Sequence, residues 1–315
     1  MSGEENIQQK IKKIKEEKNA IILAHYYQTG DIQDLADFVG DSLALSQKAA
    51  DNDASIILFA GVKFMAETAK ILAPSKKVLL PDIMAGCSLA DSCRAEDFEK
   101  FIKDNPGRTV VTYVNTTADI KALSDIICTS SNAVQIINSL PPDEKIIFAP
   151  DRNLGNYILN QTGRDMKIWN GTCHVHEEFS LEAIIKLKNE HPEAKVIVHP
   201  ECELPVRMIA DFIGSTSALL AFTKKDKARE FIVATEPGII HQMKKENPLK
   251  TYFDVPPKDS TCGCSECNFM KLITAEKIYN CLKYEQPEIF VDEDVLLKAQ
   301  KPIKRMMEIS ARLGL

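Results

Sequence analysis

Residues Lys195–Leu220 read K-V-I-V-H-P-E-C-E-L-P-V-R-M-I-A-D-F-I-G-S-T-S-A-L-L, and the chain carries this pattern three times in altered form. A β-branched run delivers His199 and Glu201. Gly214 follows His199 by fifteen residues, then come hydroxyl residues and an apolar run. Earlier, A-I-I-L-A-H-Y-Y delivers His25 and Tyr27, with Gly40 fifteen residues beyond His25. Between these, T-V-V-T-Y-V-N delivers Tyr113 and Asn115, with Cys128 fifteen residues beyond Tyr113. The words A-D-F-V-G-D-S, S-D-I-I-C-T-S and A-D-F-I-G-S-T fall in register. Ser42, Ser130 and Thr216 lie seventeen residues after His25, Tyr113 and His199 respectively. Matched spacings with matched flanking words mark an internal repeat, and such a repeat decides the architecture.

Within each repeat, short buried-type runs such as S-I-I-L-F-A and K-V-L-L alternate with helical segments. That alternation predicts parallel strands with helices on both faces. In the first repeat the pattern predicts strands over Ala20–His25, Phe38–Gly40, Ser55–Ala60 and Lys77–Pro81. Helices are expected over Ile32–Asp37, Ser42–Ala50 and Lys63–Leu72. The expected fold class is α/β: three α/β/α sandwich repeats, each with a small parallel four-strand sheet, arranged about a pseudo-threefold axis. Residues 1–100 hold an amphipathic N-terminal helix (Ile7, Ile11, Ile14) and the first repeat. Residues 101–187 hold the second repeat. Residues 188–315 hold the third and a C-terminal helix near Val295–Ser310, with Pro302 expected to turn or kink it.

The composition, 44% hydrophobic and 27% charged over 315 residues, is that of a globular chain able to bury a large core. A net charge of −6 argues against nucleic acid as a general partner, since phosphate backbones demand clustered Lys and Arg. No apolar run approaches the roughly 20 residues that span a bilayer, so no membrane partner is expected. The polar opening M-S-G-E-E-N-I-Q-Q-K lacks the apolar core of a signal peptide. Nine cysteines in such a chain point to a reducing, cytoplasmic location, where thiols bind metal or stay free.

Each repeat closes on cysteine in an irregular, Gly-containing loop. Cys87 follows His25 by 62 residues and Cys173 follows Tyr113 by 60, while Cys262, Cys264 and Cys267 follow His199 by 63, 65 and 68. One thiolate per repeat is the donor set of an iron–sulfur cluster with one iron lacking a cysteine ligand. Such an open iron is a Lewis acid. Cys264 and Cys267 also form a C-x-x-C pair, which reads as a zinc site in competition. Cys128 and Cys202 read as small buried hydrophobes.

Parallel sheets present ligands at their carboxyl edges. There His25, Tyr113 and His199, with Tyr27, Asn115 and Glu201 two residues on, supply acid–base groups and polar donors. The two-residue offset would put each pair on one face of a strand. Ser42, Ser130 and Thr216 each precede an apolar helical run. They read as N-caps and equally as seats for a carboxylate or phosphate. His174 and His176 flank the second cysteine, either as donors beside a cluster or as solvated loop residues.

The matching words F-A-G-V-K-F-M-A-E-T-A-K-I-L, V-L-L-P-D-I-M-A-G-C-S-L-A-D, Y-V-N-T-T-A-D-I-K-A, F-A-P-D-R-N-L-G, W-N-G-T-C-H-V-H, H-P-E-C and G-S-T-S cover nearly the whole chain. In them the sequence resembles the quinolinate synthase family. The resemblance implies three related α/β domains around a 4Fe–4S cluster. It also implies condensation of iminosuccinate with dihydroxyacetone phosphate to quinolinate, phosphate and water, in NAD biosynthesis. By motif, the cluster ligands would be Cys87, Cys173 and Cys267. Spacing alone favours Cys262 or Cys264 for the third, but the aromatic–Met pair after the family's ligand matches Cys267-N-F-M. A redox-sensitive Cys264–Cys267 disulfide is then conceivable. Iminosuccinate would be held by His25, Ser42, Tyr113, Asn115, Ser130, His199, Glu201 and Thr216. Glu201 is expected to act as general base, with Tyr27 and His199 assisting. An aspartate oxidase or dehydrogenase is the expected source of the short-lived imine. Arg152, Lys224 and Lys225 are phosphate candidates by charge. An aconitase-like hydro-lyase and a non-enzymatic iron–sulfur or zinc sensor are the other readings.

Overall fold

The computed structural model describes residues 6–258 and 265–315. Among the described residues, twelve strands form three separate four-strand sheets, all parallel. The first contains β1 (Ala20–His25), β2 (Phe38–Gly40), β3 (Ile56–Ala60) and β4 (Lys77–Leu79), in the order β2-β1-β3-β4. The second contains β5 (Thr109–Tyr113), β6 (Ile126–Cys128), β7 (Ile146–Ala149) and β8 (Met166–Ile168). The third contains β9 (Lys195–Val198), β10 (Phe212–Ile213), β11 (Glu230–Ala234) and β12 (Thr251–Asp254). Their orders, β6-β5-β7-β8 and β10-β9-β11-β12, repeat the first. The repeat expected from spacing is therefore a repeat of topology.

The strand runs are apolar on both faces because helices cover both faces. All five residues of β3 are buried, as are all four of β7. The repeated Asp of the A-D-F, S-D-I and A-D-F words has a mechanical role. The Asp37, Asp125 and Asp211 carboxylates each accept the backbone N–H of Ile22, Val110 or Val196 at 2.8 Å. Their own N–H groups donate back to the carbonyl of the same residue at 2.8–2.9 Å. This reciprocal pair pins edge strands only two or three residues long to the central strand. It also corrects one boundary: the helix expected over Ile32–Asp37 runs Gly30–Leu35, because Asp37 must leave the helix to reach Ile22.

The N-terminal helix, Ile7–Glu17, starts in a capping box between Asn6 and Gln9 and buries Ile11. It lies against the helix Ala275–Tyr284. The C-terminal helix is longer than expected, Glu293–Leu313, and continues through Pro302. Although it follows the third repeat in sequence, it packs on the first two. It contacts the helix Lys63–Leu72, the helix Ala118–Ala122 and β6, and Asn132 Nδ2 donates to Ser310 Oγ at 2.9 Å. Among the described residues, no helix is long and apolar enough to cross a membrane.

One carboxylate ties the three repeats together. Asp41 is buried. Its Oδ1 caps the helix Ser42–Ala50 by accepting the Ala44 N–H at 3.1 Å. Its Oδ2 accepts the hydroxyl of Ser131 from the second repeat at 2.6 Å and that of Ser217 from the third.

Candidate active site

In each sheet the chain runs from the central strand to one edge, then returns to the other side. The crevice at the carboxyl end of that central strand is where such sheets bind ligands. His25 and Tyr113 are the last residues of β1 and β5, and His199 directly follows β9. All three crevices open into one cavity. The first repeat supplies His25, Tyr27, Ser42 and Cys87 to its lining. The second supplies Tyr113, Asn115, Ser130 and Cys173, and the third His199, Glu201, Thr216 and Cys267. The space open to the centre of a water molecule is about 60 Å³, several times the ~10–15 Å³ one water needs. Val62, Phe64, Met65, Val175 and Met270 form its apolar wall.

Two local expectations are corrected. Tyr27, Asn115 and Glu201 lie beyond the strand ends, not on a strand face. They turn inward with the loops; the Tyr27 and Glu201 N–H groups each donate to the imidazole Nδ1 two residues earlier, at 3.2 and 3.4 Å. The hydroxyls of Ser42 and Thr216 are not N-caps. Asp41 and Ser215 hold those positions, leaving the next hydroxyl at N1 free to face the cavity. Ser130 lies two residues before the N-cap Asn132.

A hydrogen-bonded chain crosses the cavity. Tyr27 Oη lies 3.0 Å from Thr216 Oγ1 and 2.9 Å from Thr235 Oγ1. Thr235 Oγ1 lies 3.1 Å from His176 Nε2, and His176 Nδ1 lies 3.2 Å from Glu201 Oε2. Glu201 Oε1 accepts the Tyr113 phenol at 2.6 Å. A consistent proton assignment has Tyr27 donating to Thr235, Thr235 to His176, and His176 Nδ1–H to Glu201.

Burial sets the protonation states. It lowers His25 to about 4, against the carboxylates of Asp41 and Glu201, and lowers His199 to about 3, against Glu201. Both imidazoles are neutral at pH 7. Burial and the Glu201 charge push the Tyr27 and Tyr113 phenols well above their ordinary range, so both keep their protons. For Glu201 itself, burial opposes the charge. The hydrogen bonds donated by His176 and Tyr113 favour the charged form, and its carboxyl falls below the usual range. Glu201 therefore stands ionised among neutral donors, with the side chains of Asp41 and Glu236 also in the cavity lining.

The three thiols sit in matching local structures. The expected irregular loops are short turns of helix: Cys87 and Cys173 immediately precede the segments Ser88–Asp91 and His174–Glu177. The carbonyls of Cys87, Cys173 and Cys267 each accept the N–H four residues on, at 2.9, 3.1 and 3.2 Å. Cys267 thus shares the turn of the other two, whatever its spacing. Among the described residues none of the three is in a disulfide, and burial raises all three thiols. One half-buried thiol from each repeat at one cavity fits a thiolate-ligated group. A second donor set overlaps it: ligand atoms of Cys173, His176 and Glu201 lie within 4.8 Å of one another. Cys262 and Cys264, and with them the disulfide idea, lie outside the described residues. Cys128 and Cys202 are buried and do not line the cavity.

Of the two loop histidines, His176 is buried in the cavity wall while His174 is exposed, its Nδ1 2.6 Å from Ser88 Oγ. Arg152, Lys224 and Lys225 do not line the cavity; Arg152 pairs with Glu177 and Lys224 with Glu246. Thr235, Glu236 and Asp41 escaped the sequence reading. A signal existed for the first two: F-I-V-A-T-E places them at the carboxyl edge of β11.

A shielded cavity at three sheet crevices, with an ionised carboxylate, neutral donors and three thiols, defines an enzyme acting on a small polar molecule. The family model described as quinolinate synthetase A protein matches residues 9–308. The chain is 58% identical over 298 residues to the quinolinate synthase of Synechococcus sp., covering 95% of this chain and 93% of that protein. It is 59% identical over 300 residues to the quinolinate synthase of Microcystis aeruginosa, covering 95% and 94%. The protein belongs to the quinolinate synthetase A family.

Proposed function

We propose that the protein is a quinolinate synthase of NAD biosynthesis, condensing iminosuccinate with dihydroxyacetone phosphate to quinolinate, phosphate and water. The observation that carries the reading is the convergence of four polar or thiol residues from each repeat on one cavity, in a chain of this family. Cys87, Cys173 and Cys267 are the residues that would hold a 4Fe–4S cluster. When bound, it would supply a Lewis-acidic iron with an open position for a substrate oxygen.

The chain's own groups have separable tasks. The hydroxyls of Ser42, Ser130 and Thr216, the amide of Asn115 and the neutral imidazoles of His25 and His199 are donors for a dicarboxylate. Glu201, ionised, accepts protons as carbon–carbon bond formation and tautomerisation release them. Tyr27, neutral and linked to Glu201 through Thr235 and His176, returns a proton to a leaving or tautomerising oxygen. The apolar wall keeps water from a reactive imine. Because that imine hydrolyses, a neighbouring aspartate oxidase or dehydrogenase is its natural supplier.

The test is anaerobic incubation with dihydroxyacetone phosphate and iminosuccinate generated in place from aspartate. Quinolinate and phosphate released in equal amounts is the expected result. No quinolinate, with reversible dehydration of a hydroxy acid instead, would replace this reading with the aconitase-like one.

A further inference from the structure

The third strand of each repeat ends two residues before a position that faces its cysteine loop: Val62 after β3, Asp151 after β7 and Glu236 after β11. At two of these positions stands a fully buried carboxylate. Asp151 Oδ2 accepts the N–H of Cys173 at 3.2 Å, while Oδ1 accepts that of Leu154 at 2.7 Å. Glu236 Oε1 accepts the N–H of Cys267 at 3.3 Å and pairs with Lys271 Nζ at 2.7 Å; Oε2 accepts the N–H of Gly238 at 2.7 Å. The first repeat has no carboxylate there.

A second tie occurs one residue further on. The Lys63 N–H donates to the carbonyl of Ala85, two residues before Cys87, at 2.7 Å; the Arg152 N–H donates to that of Gly171, two before Cys173, at 2.8 Å. The third repeat has Pro237 at this position, and proline has no N–H to give. Of these two ties the first loop has the backbone one, the second has both and the third has the carboxylate; among the described residues the third is also held by Ser265 Oγ, which donates to the Val255 carbonyl at 2.8 Å.

We propose that Asp151 and Glu236 are positioning residues that hold Cys173 and Cys267 in ligating geometry, and that the Cys267 corner depends most on its carboxylate. The proposal rests on the reading of the three cysteines as cluster ligands. Groups that orient metal ligands typically change metal retention by about 10–100-fold when removed. Glu236→Gln keeps the side chain's shape. Its amide nitrogen cannot accept, so one of the two N–H groups at Cys267 and Gly238 loses its partner, and Lys271 loses its counter-charge. Asp151→Asn makes the same change where a backbone tie remains.

The experiment measures iron and sulfide per chain in anaerobically purified protein, then the rate of iron release to a chelator, followed by the cluster's visible absorption. Asp125→Asn is the control, because that carboxylate bonds a strand N–H away from every cysteine loop. We expect release about 10-fold faster or more in Glu236→Gln, a smaller acceleration in Asp151→Asn, and wild-type release in Asp125→Asn. Release from Glu236→Gln at the wild-type rate, or equally fast from Asp125→Asn, overturns the proposal while leaving the cluster reading intact. Should Glu236→Gln not fold, Glu236→Asp withdraws the carboxylate by one methylene and is held to the same criterion. Wild-type protein holding neither iron nor sulfide overturns the ligand reading and this proposal together.

Discussion

Replacing Asp41 by Ala removes three hydrogen bonds at the junction of the three repeats. The lost N-cap costs about 1 kcal/mol. Ser131 and Ser217 are half-buried and keep weaker hydroxyl partners at 3.3–3.5 Å, so each lost bond to the carboxylate falls at the low end of the range, about 1 kcal/mol. The sum is about 3 kcal/mol, or a fall in Tm of ~4–5 °C for a chain of this size. Scanning calorimetry on Asp41→Ala, Ser131→Ala/Ser217→Ala and the triple variant closes a cycle. In the wild-type background the paired serine substitution should cost about 2 kcal/mol. In the Asp41→Ala background it should cost almost nothing, because those hydroxyls have already lost their acceptor. Serine costs that are the same in both backgrounds, or an Asp41→Ala variant within about 0.5 kcal/mol of wild type, would refute the idea that this carboxylate joins the repeats.

Thr235→Val and His176→Gln each interrupt the path between Tyr27 and Glu201; kcat should fall by about 10²–10⁴ with KM changed far less, read by steady-state quinolinate formation. Glu201→Gln should lose at least as much, and wild-type turnover would remove its role as base. Stability should fall on acidification, because burial lowers His25 from 6.5 to about 4. Below pH 6.5 the unfolded chain binds a proton that the folded one refuses. The contribution is complete above pH 6.5 and lost as pH falls toward 4, about 3 kcal/mol in all. Urea unfolding of His25→Asn at pH 7 and pH 5 should show a weaker pH dependence than wild type, and an identical one would count against a buried neutral imidazole. Asp211→Ala frees the N–H of Val196 and the two-residue strand β10. It should cost about 1–3 kcal/mol and speed amide exchange at Gly214, checked by hydrogen exchange.

The repeat made the fold readable. Strand runs, Asp-containing words and hydroxyl positions recur at fixed spacing, and each spacing reflects a local constraint such as the bond from Asp211 to Val196. The twelve residues expected from spacing or motif all line one cavity, Cys267 by motif and against the spacing. Residues whose partners lie in another repeat, or far along the chain, were hidden. Asp41 acts through Ser131 and Ser217, 90 and 176 residues away, and Asp occupies that position in only one copy. Thr235 and Glu236 follow an ordinary buried strand, and only the folded chain brings them to Tyr27 and Cys267. The N-cap assignment of Ser42 and Thr216 was off by one residue. Capping depends on where the backbone enters the helix, and spacing does not resolve a single step.

Iron and acid-labile sulfide per chain, in anaerobically purified wild type and in single Cys→Ala variants, test the central claim most directly. The account predicts about four of each in wild type. Both should be lost from the variants at Cys87, Cys173 and Cys267 and retained in Cys128→Ala. Zinc without sulfide in the wild type, or a full cluster surviving Cys267→Ala, would contradict it.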